Sequence, residues 1–323
     1  MNIKSLLLII TTILLSSCFL FRSPINDDKF RVSENDFDVA TYQPFSENSK
    51  VVSLDTVSLL KLKKKLPILD GATALYPLYS AFVQAVYPER TYNIRKSKVM
   101  CNNTMTAYTS LINKEVDIIF VAYPSTKQIE MAEENGVTMK FTPIGKEAFV
   151  FFVNKNNPID NLSISEIQDI YSGKIKNWNE IGGTADSIIP FQRNTGSGSQ
   201  SAFVKFMEGK KIIEPKTDER IYGMFGIISR VANYKNSPSS IGFSFRFFTH
   251  EMVNNIDIKL LKINGIYPNT ESIKNNSYPL TSDFYAVTLQ DNKNPNVEKF
   301  LEWMKSEQGQ KLVEKTGYCA IYE

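Results

Sequence analysis

Pro67-Ile68-Leu69-Asp70-Gly71-Ala72-Thr73-Ala74-Leu75-Tyr76-Pro77 is the stretch that decides the fold of this chain. Pro67-Ile68-Leu69 is a short apolar run. Leu75, Leu78, Tyr79, Phe82 and Val86 then recur at i, i+3, i+4, i+7 and i+11, which places them on one helix face. A strand therefore runs straight into a helix through Asp70-Gly71-Ala72-Thr73. The same alternation continues downstream. Tyr108, Leu111 and Ile112 mark a second helix begun near Asn103-Thr104, and Asp117-Ile118-Ile119-Phe120-Val121-Ala122 reads as a strand apolar on both faces. Ser125-Thr126-Lys127-Gln128 is a capping box opening a helix that Asn135-Gly136 closes, so Ser125 reads as structural. Ala148-Phe149-Val150-Phe151-Phe152-Val153 is another strand, and a second unit of the same kind extends to about residue 279. Val297, Phe300, Leu301 and Met304 mark one more amphipathic helix, continuing to Leu312-Val313. Short apolar runs alternating with amphipathic helices define an α/β chain with a largely parallel sheet.

The chain has 323 residues, 42% of them hydrophobic, enough for about two domains of roughly 150 residues and incompatible with a disordered or fibrous class. His250 is the only histidine and there are three cysteines, which argues against a Ser-His-Asp hydrolase or a zinc cluster. The chain reads as a non-enzyme with no metal and no cofactor. Lys and Arg number 37 against 34 Asp and Glu, a net charge of +3, and a leader containing only Lys4 leaves +2 on the remainder. Nucleic-acid binding usually requires a concentrated basic face, so no nucleic-acid partner is expected, whereas one small anion is compatible with this balance.

Met1 to Lys4 is a short basic start and Ser5 to Leu15 is almost wholly apolar, too short to span a bilayer. Residues 1–17 thus read as a signal peptide. Leu15-Ser16-Ser17-Cys18 resembles the lipobox of bacterial lipoproteins, which implies acylation of Cys18 and an extracytoplasmic chain held to a membrane by lipid. Residues 18–65 are polar and mixed in charge, read as a tether and an edge segment. Cys101 and Cys319 remain, in a compartment that permits a disulfide; pairing and two buried free thiols are both open.

Arg193-Asn194-Thr195-Gly196-Ser197-Gly198-Ser199-Gln200 follows the run Ile188-Ile189-Pro190-Phe191 and precedes a helix marked by Phe203, Phe206 and Met207. Glycines let backbone N–H groups point into such a loop, serines add hydroxyls, and the helix start adds partial positive charge. Arginine adds a planar fork for an oxyanion. Neither a P-loop lysine nor the GxGxxG spacing is present, so a nucleotide is not implied. Thr73 and Thr104 each stand at a strand-to-helix turn, and in open α/β sheets such turns gather where ligands bind. Three helix N-termini converging on one anion is the reading these residues favour together, although each threonine singly reads as an N-cap.

Leu69 to Pro77, Asn161-Leu162-Ser163 through Ile170-Tyr171-Ser172-Gly173-Lys174-Ile175-Lys176-Asn177-Trp178, the Arg193 loop, and Ser306-Glu307-Gln308-Gly309-Gln310 with Thr316-Gly317-Tyr318 together resemble the phosphate-binding component of bacterial phosphate ABC transporters. The resemblance implies a type II periplasmic binding protein fold: two α/β lobes, two crossover hinge strands and a ligand in the interlobe cleft. Lobe 1 would comprise residues 66–148 and 280–323, and lobe 2 residues 149–279, with crossings near Glu147 to Asn154 and Pro279 to Val287. It also implies inorganic phosphate or a similar oxyanion as ligand and an ABC permease as partner. Ligand contacts carry over to Arg193, Ser197, Gly198 and Ser199, to Thr73 with the backbone of Ala74 and of Leu75, and to Thr104.

Tyr123 stands where better-known members carry an aspartate that accepts the proton of hydrogen phosphate. A phenol takes or gives one hydrogen bond and carries no such charge, so selectivity against sulfate is expected to fall. Asp70 and Glu147 are the neighbouring carboxylates that could substitute, and either could equally bond backbone. Arg246, in Ile241 to Phe248, reads as a lobe-edge ion pair. A surface sensing or interaction lipoprotein of the same fold, or a binder of another anion, is the alternative function.

Overall fold

The computed structural model describes residues 38–215, 220–221, 223–233 and 238–321; the leader and Cys18 lie outside them. The strands are β1 (Leu69–Gly71), β2 (Ile118–Val121), β3 (Met139–Asn154), β4 (Asn161–Leu162), β5 (Ile189–Pro190), β6 (Gln192–Arg193), β7 (Arg220–Ile221), β8 (Ser240–Phe245), β9 (Ile258–Leu260), β10 (Lys262–Ile263) and β11 (Thr281–Leu289). The helices are α1 (Tyr76–Val86), α2 (Asn103–Ile112), α3 (Thr126–Glu134), α4 (Ile164–Tyr171), α5 (Gly198–Phe206), α6 (Met224–Asn233), α7 (Thr270–Lys274), α8 (Val297–Lys305) and α9 (Glu307–Thr316).

β3 organises the molecule. Its first part, Met139 to Ala148, pairs antiparallel with β11, which in turn pairs with β2, and β2 with β1. At Phe149 it changes partners: Phe149 to Val153 pairs with β8, Phe152 to Asn154 with β9, and β5 lies beyond β8. One strand thus runs out of one sheet into another, and β11 starts at Thr281 beside Ala148 to form the return crossing. Residues at the crossing are buried on both faces, which an edge strand would not tolerate. The type II periplasmic binding protein fold expected from the motifs is borne out, but the sheet is mixed rather than largely parallel. Among the described residues only β1–β2 and β5–β8 are parallel within it, because the two crossing strands run against their neighbours.

Burial follows the sequence pattern. The α1 face from Leu78 to Val86 closes over β1 and β2 with Phe82 and Phe120 at its centre, while Phe151, Tyr171, Phe203 and Phe243 form a second core around β8. The first cluster continues across the crossing, where Phe247 stacks on Tyr318 at 4.1 Å between ring centroids. The C-terminal pattern that reads as one helix is two. Ser306, extended at ψ 166°, ends α8 and caps α9 by accepting from the Gly309 N–H, yet both helices bury the same face and so preserve the apolar period. Within the stretch read as tether, residues from Asp38 onward are packed: Val39–Tyr42 forms a 3-10 turn, Gln84 Nε2 donates to Ser53, and Leu59 N–H donates to Gln308. Cys101 and Cys319 are buried free thiols, so the two are not joined. Arg246 meets Glu251 at 3.5 Å. Among the described residues no helix is long and apolar enough to cross a membrane.

Candidate functional site

The exit of β1 and the entry to α2 are tied by one carboxylate. Asp70 is fully buried and accepts from the N–H of Gly71 (2.8 Å), the N–H of Asn102 (2.8 Å) and the side-chain amide of Asn102 (3.0 Å). Burial pushes its carboxyl above the usual range, against the pull of these hydrogen bonds and of Arg95. Asp70→Ala leaves the part-buried Asn102 donors without their acceptor. It should cost about 1–3 kcal/mol per orphaned group and lower the denaturation midpoint; an unchanged midpoint would mean that the two loops are held otherwise.

Beyond Asp70, Thr73–Leu75 forms a 3-10 turn leading into α1. Thr73 is half-buried with its hydroxyl against the Cys101 thiol, a group pushed up to about 12 by burial. Ala74 is buried and its carbonyl accepts from the Tyr318 hydroxyl. Leu75 does not serve as read: its N–H is taken by the Ala72 carbonyl (2.9 Å) and its side chain lies in the core. Asn103, which the sequence reading gave only as the start of the second helix, opens α2 at φ +74° and caps it by accepting from the Thr106 N–H (3.1 Å). Asparagine is the residue besides glycine that tolerates this backbone region, so the Asn102-Asn103 pair was the available signal. Thr104 is thereby released from capping.

The Arg193 loop is built from the other side. Arg193 ends β6, paired with β7, and is 4% exposed. Its N–H donates to Gln200 Oε1 (2.8 Å), and Gln200 Nε2 donates to Gln192 (3.3 Å), so Gln200, whose role the sequence reading missed, folds α5 back onto β6. Ser197 is the N-cap of α5, its Oγ accepting from the Gln200 N–H (3.2 Å), which is a structural role. Ser199 is 2% exposed and its hydroxyl is buried without a hydrogen-bond partner among the described residues. Gly196 sits at φ +86°, and a Cβ there would fall 2.1 Å from Met105 Cε. A Cβ on Gly198 would stand 3.1 Å from Thr104 Oγ1. The two glycines thus let the starts of α2 and α5 meet.

Thr104, Gly198 and the rest of the Arg193 loop are therefore brought together, each from its own half. Neither α2 nor α5 has an acidic residue in its first turn, so both partial positive ends are uncompensated there. Thr73 lies on the wall of an adjoining cavity of about 280 Å³ that Asn103 also lines. Tyr123 is not brought to this cluster. Its ring is 49% exposed, packed 5.4 Å from Phe141 and 6.0 Å from Tyr285, with Lys205 Nζ 5.2 Å from its centroid. Glu147 is also occupied: Oε1 accepts from the Ala148 N–H and Oε2 from the Phe247 N–H. Both carboxylates that could have replaced the family aspartate thus bond backbone.

Two α/β halves joined by a pair of crossing strands, with helix N-termini brought face to face from the two, define a two-lobed substrate-binding protein. The chain belongs to the PBP superfamily, whose domain matches residues 68–308. A phosphate-binding protein PstS of Borreliella burgdorferi is 24% identical over 272 residues, covering 80% of this chain and 91% of that protein. Its Bacillus subtilis counterpart is 28% identical over 172 residues, 52% of this chain and 53% of that one. A Clostridium perfringens substrate-binding protein solved with bound phosphate shares the fold at a TM-score of 0.62 and 23% identity, covering 79% of this chain and 98% of that chain. An ABC-type phosphate transport receptor from Vibrio cholerae does so at 0.57 and 18%, covering 78% and 98%.

Proposed function

We propose that this chain is a lipid-anchored, extracytoplasmic substrate-binding protein that captures phosphate or a related oxyanion between its lobes and delivers it to an ABC permease. The observation that carries this reading is the meeting of the α2 and α5 N-termini, the second of them opened by the loop that begins at the buried Arg193. Each helix start contributes roughly 0.3–2 kcal/mol toward an anion, and charge-assisted hydrogen bonds to a guanidinium are about twice as strong as neutral ones. Arg193, Thr104, Gly198 and Ser199 supply the contacts in this reading, Thr73 and Ala74 border them, and Ser197 holds the loop. The lipobox at Cys18 supports the anchor, the names of the phosphate-binding relatives support the ligand, and the ABC transport in the names of the Clostridium and Vibrio proteins supports the permease. Lobe 1 then comprises 66–148 with 280–323 and lobe 2 comprises 149–279, boundaries supported by the change of β3 pairing at Phe149.

Thr104 and Met105 fill the space against Gly198 and Gly196, so the two helix starts must part for a ligand to enter, rotating about the crossing strands. Of the neighbouring carboxylates, Asp70 and Glu147 both bond backbone, so among the described residues neither is spare to accept the proton of hydrogen phosphate. Thermal unfolding of the mature protein should therefore show a concentration-dependent rise in midpoint with phosphate and a comparable one with sulfate. No rise with any oxyanion overturns the reading, and a rise with phosphate alone overturns its selectivity clause.

A further inference from the structure

The cavity beside the cradle is larger than a bare inorganic anion requires. It measures about 280 Å³. Phosphate has five heavy atoms and takes up on the order of two to three water volumes of ~30 Å³ each, so most of that space would stay unfilled. Its walls are divided by character. Thr73, Asn103 and Arg95 present polar groups, while Met224, Phe225 and Phe248 present apolar ones. Thr73 borders the proposed cradle and Asn103 immediately precedes Thr104, whose Oγ1 faces Gly198, so an anion seated at the helix starts would have this space beside it.

The geometry points to a ligand that is an oxyanion carrying an apolar organic substituent, a phosphonate or phosphate monoester, with its anionic head at the cradle and its substituent against Phe225 and Met224. The inference rests on the proposed oxyanion-binding function and names the class of its substrate. Two features of the cavity support it. Arg95 Nη1 donates to the Cys101 carbonyl at 2.9 Å, which fixes that wall and keeps a guanidinium in the lining, set against the Asp38 carboxylate that lines the same space. The remaining wall is closed by Val39 and Ala40, in a turn capped by Asp38 through the Ala40 N–H at 2.9 Å. The segment that follows the membrane tether thus completes the space for the substituent, and a small side chain at position 40 keeps that space open.

The test compares inorganic phosphate, methylphosphonate and phenylphosphonate by calorimetric titration of the full-length mature protein. Phenylphosphonate is expected to bind at least about tenfold more tightly than phosphate, with methylphosphonate between them; tenfold corresponds to about 1.4 kcal/mol, within what burial of a ring supplies. Ala40→Leu, which fills the cavity, should erase that ratio while leaving the Kd for phosphate within about twofold, and Phe225→Ala should reduce it. Equal affinity for phosphate and phenylphosphonate in the wild-type protein overturns the inference and leaves oxyanion capture standing. A preference for phenylphosphonate that survives both substitutions also overturns it, by placing the ring elsewhere. Failure of all three to bind removes the inference together with the function on which it rests.

Discussion

Arg193→Ala should weaken phosphate binding by at least about a hundredfold and remove the ligand-dependent rise in unfolding midpoint. Truncating one partner of a buried, hydrogen-bonded charge pair costs roughly 2–5 kcal/mol, much of it from leaving the other charge without its counterpart. Arg193 fits that description on the protein side: it is 4% exposed, at the end of β6, with its backbone held by Gln200. The helix starts and Ser199 would remain, and these are the weaker contributions. Arg193→Lys separates charge from shape. A lysine keeps the positive charge but loses the planar fork, so an intermediate loss of roughly tenfold is expected. Far-ultraviolet circular dichroism should show an unchanged fold, because the hydrogen bond from the residue 193 N–H to Gln200 does not need the side chain. Phosphate binding by the alanine variant within a few-fold of wild type would mean that the cradle is misassigned.

What was legible in the sequence was what is local. α1 and the strand before it were read from neighbours within a turn or two, although β1 spans Leu69–Gly71 rather than Pro67 to Leu69, and the α3 capping box lies within four residues. The glycine loop and its arginine were legible for the same reason. β3 was read as beginning at Ala148, whereas it begins at Met139. Its first half contains Pro143 and Gly145, which weaken a strand pattern, and it is stabilised by β11, whose partner residues lie some 130 to 150 positions away. Tyr123 was placed at the ligand by its position after β2, but side-chain direction there is set by Phe141 and Tyr285, both distant in sequence. Gln200 escaped notice since its effect runs backward from a helix onto a strand. Thr104 and Ser197 show the same limit from the other side: both read alike as a hydroxyl at a helix start, and only the structure separates the one that caps from the one that Asn103 frees.

Stability should fall as pH rises from about 4.5 to 7, and Glu147 is the residue responsible. It lies in β3 where the chain passes from one sheet to the other, 6% exposed, bonded to the N–H of Ala148 at 2.8 Å and to that of Phe247 at 3.1 Å. Burial pushes its carboxyl up to about 7; the two backbone donors and Arg246 oppose that, and Glu251 adds to it. In the unfolded chain the group returns to about 4.5. Between these values the folded state holds a proton that the unfolded state has released. The contribution is therefore fully present below about pH 4.5, declines through the interval and is gone above about 7. A displacement of that size corresponds to about 3 kcal/mol at most. Asp70, raised in the same direction, adds a slope of its own, so the informative quantity is the difference between wild type and Glu147→Gln in denaturant midpoints across pH 4 to 8. The glutamine variant loses one of the two acceptors and starts less stable at acid pH, but does not titrate. The difference should narrow as pH rises to 7 and stay constant above it. A difference that does not vary with pH would show that the crossing tolerates a charged carboxylate as readily as a neutral one.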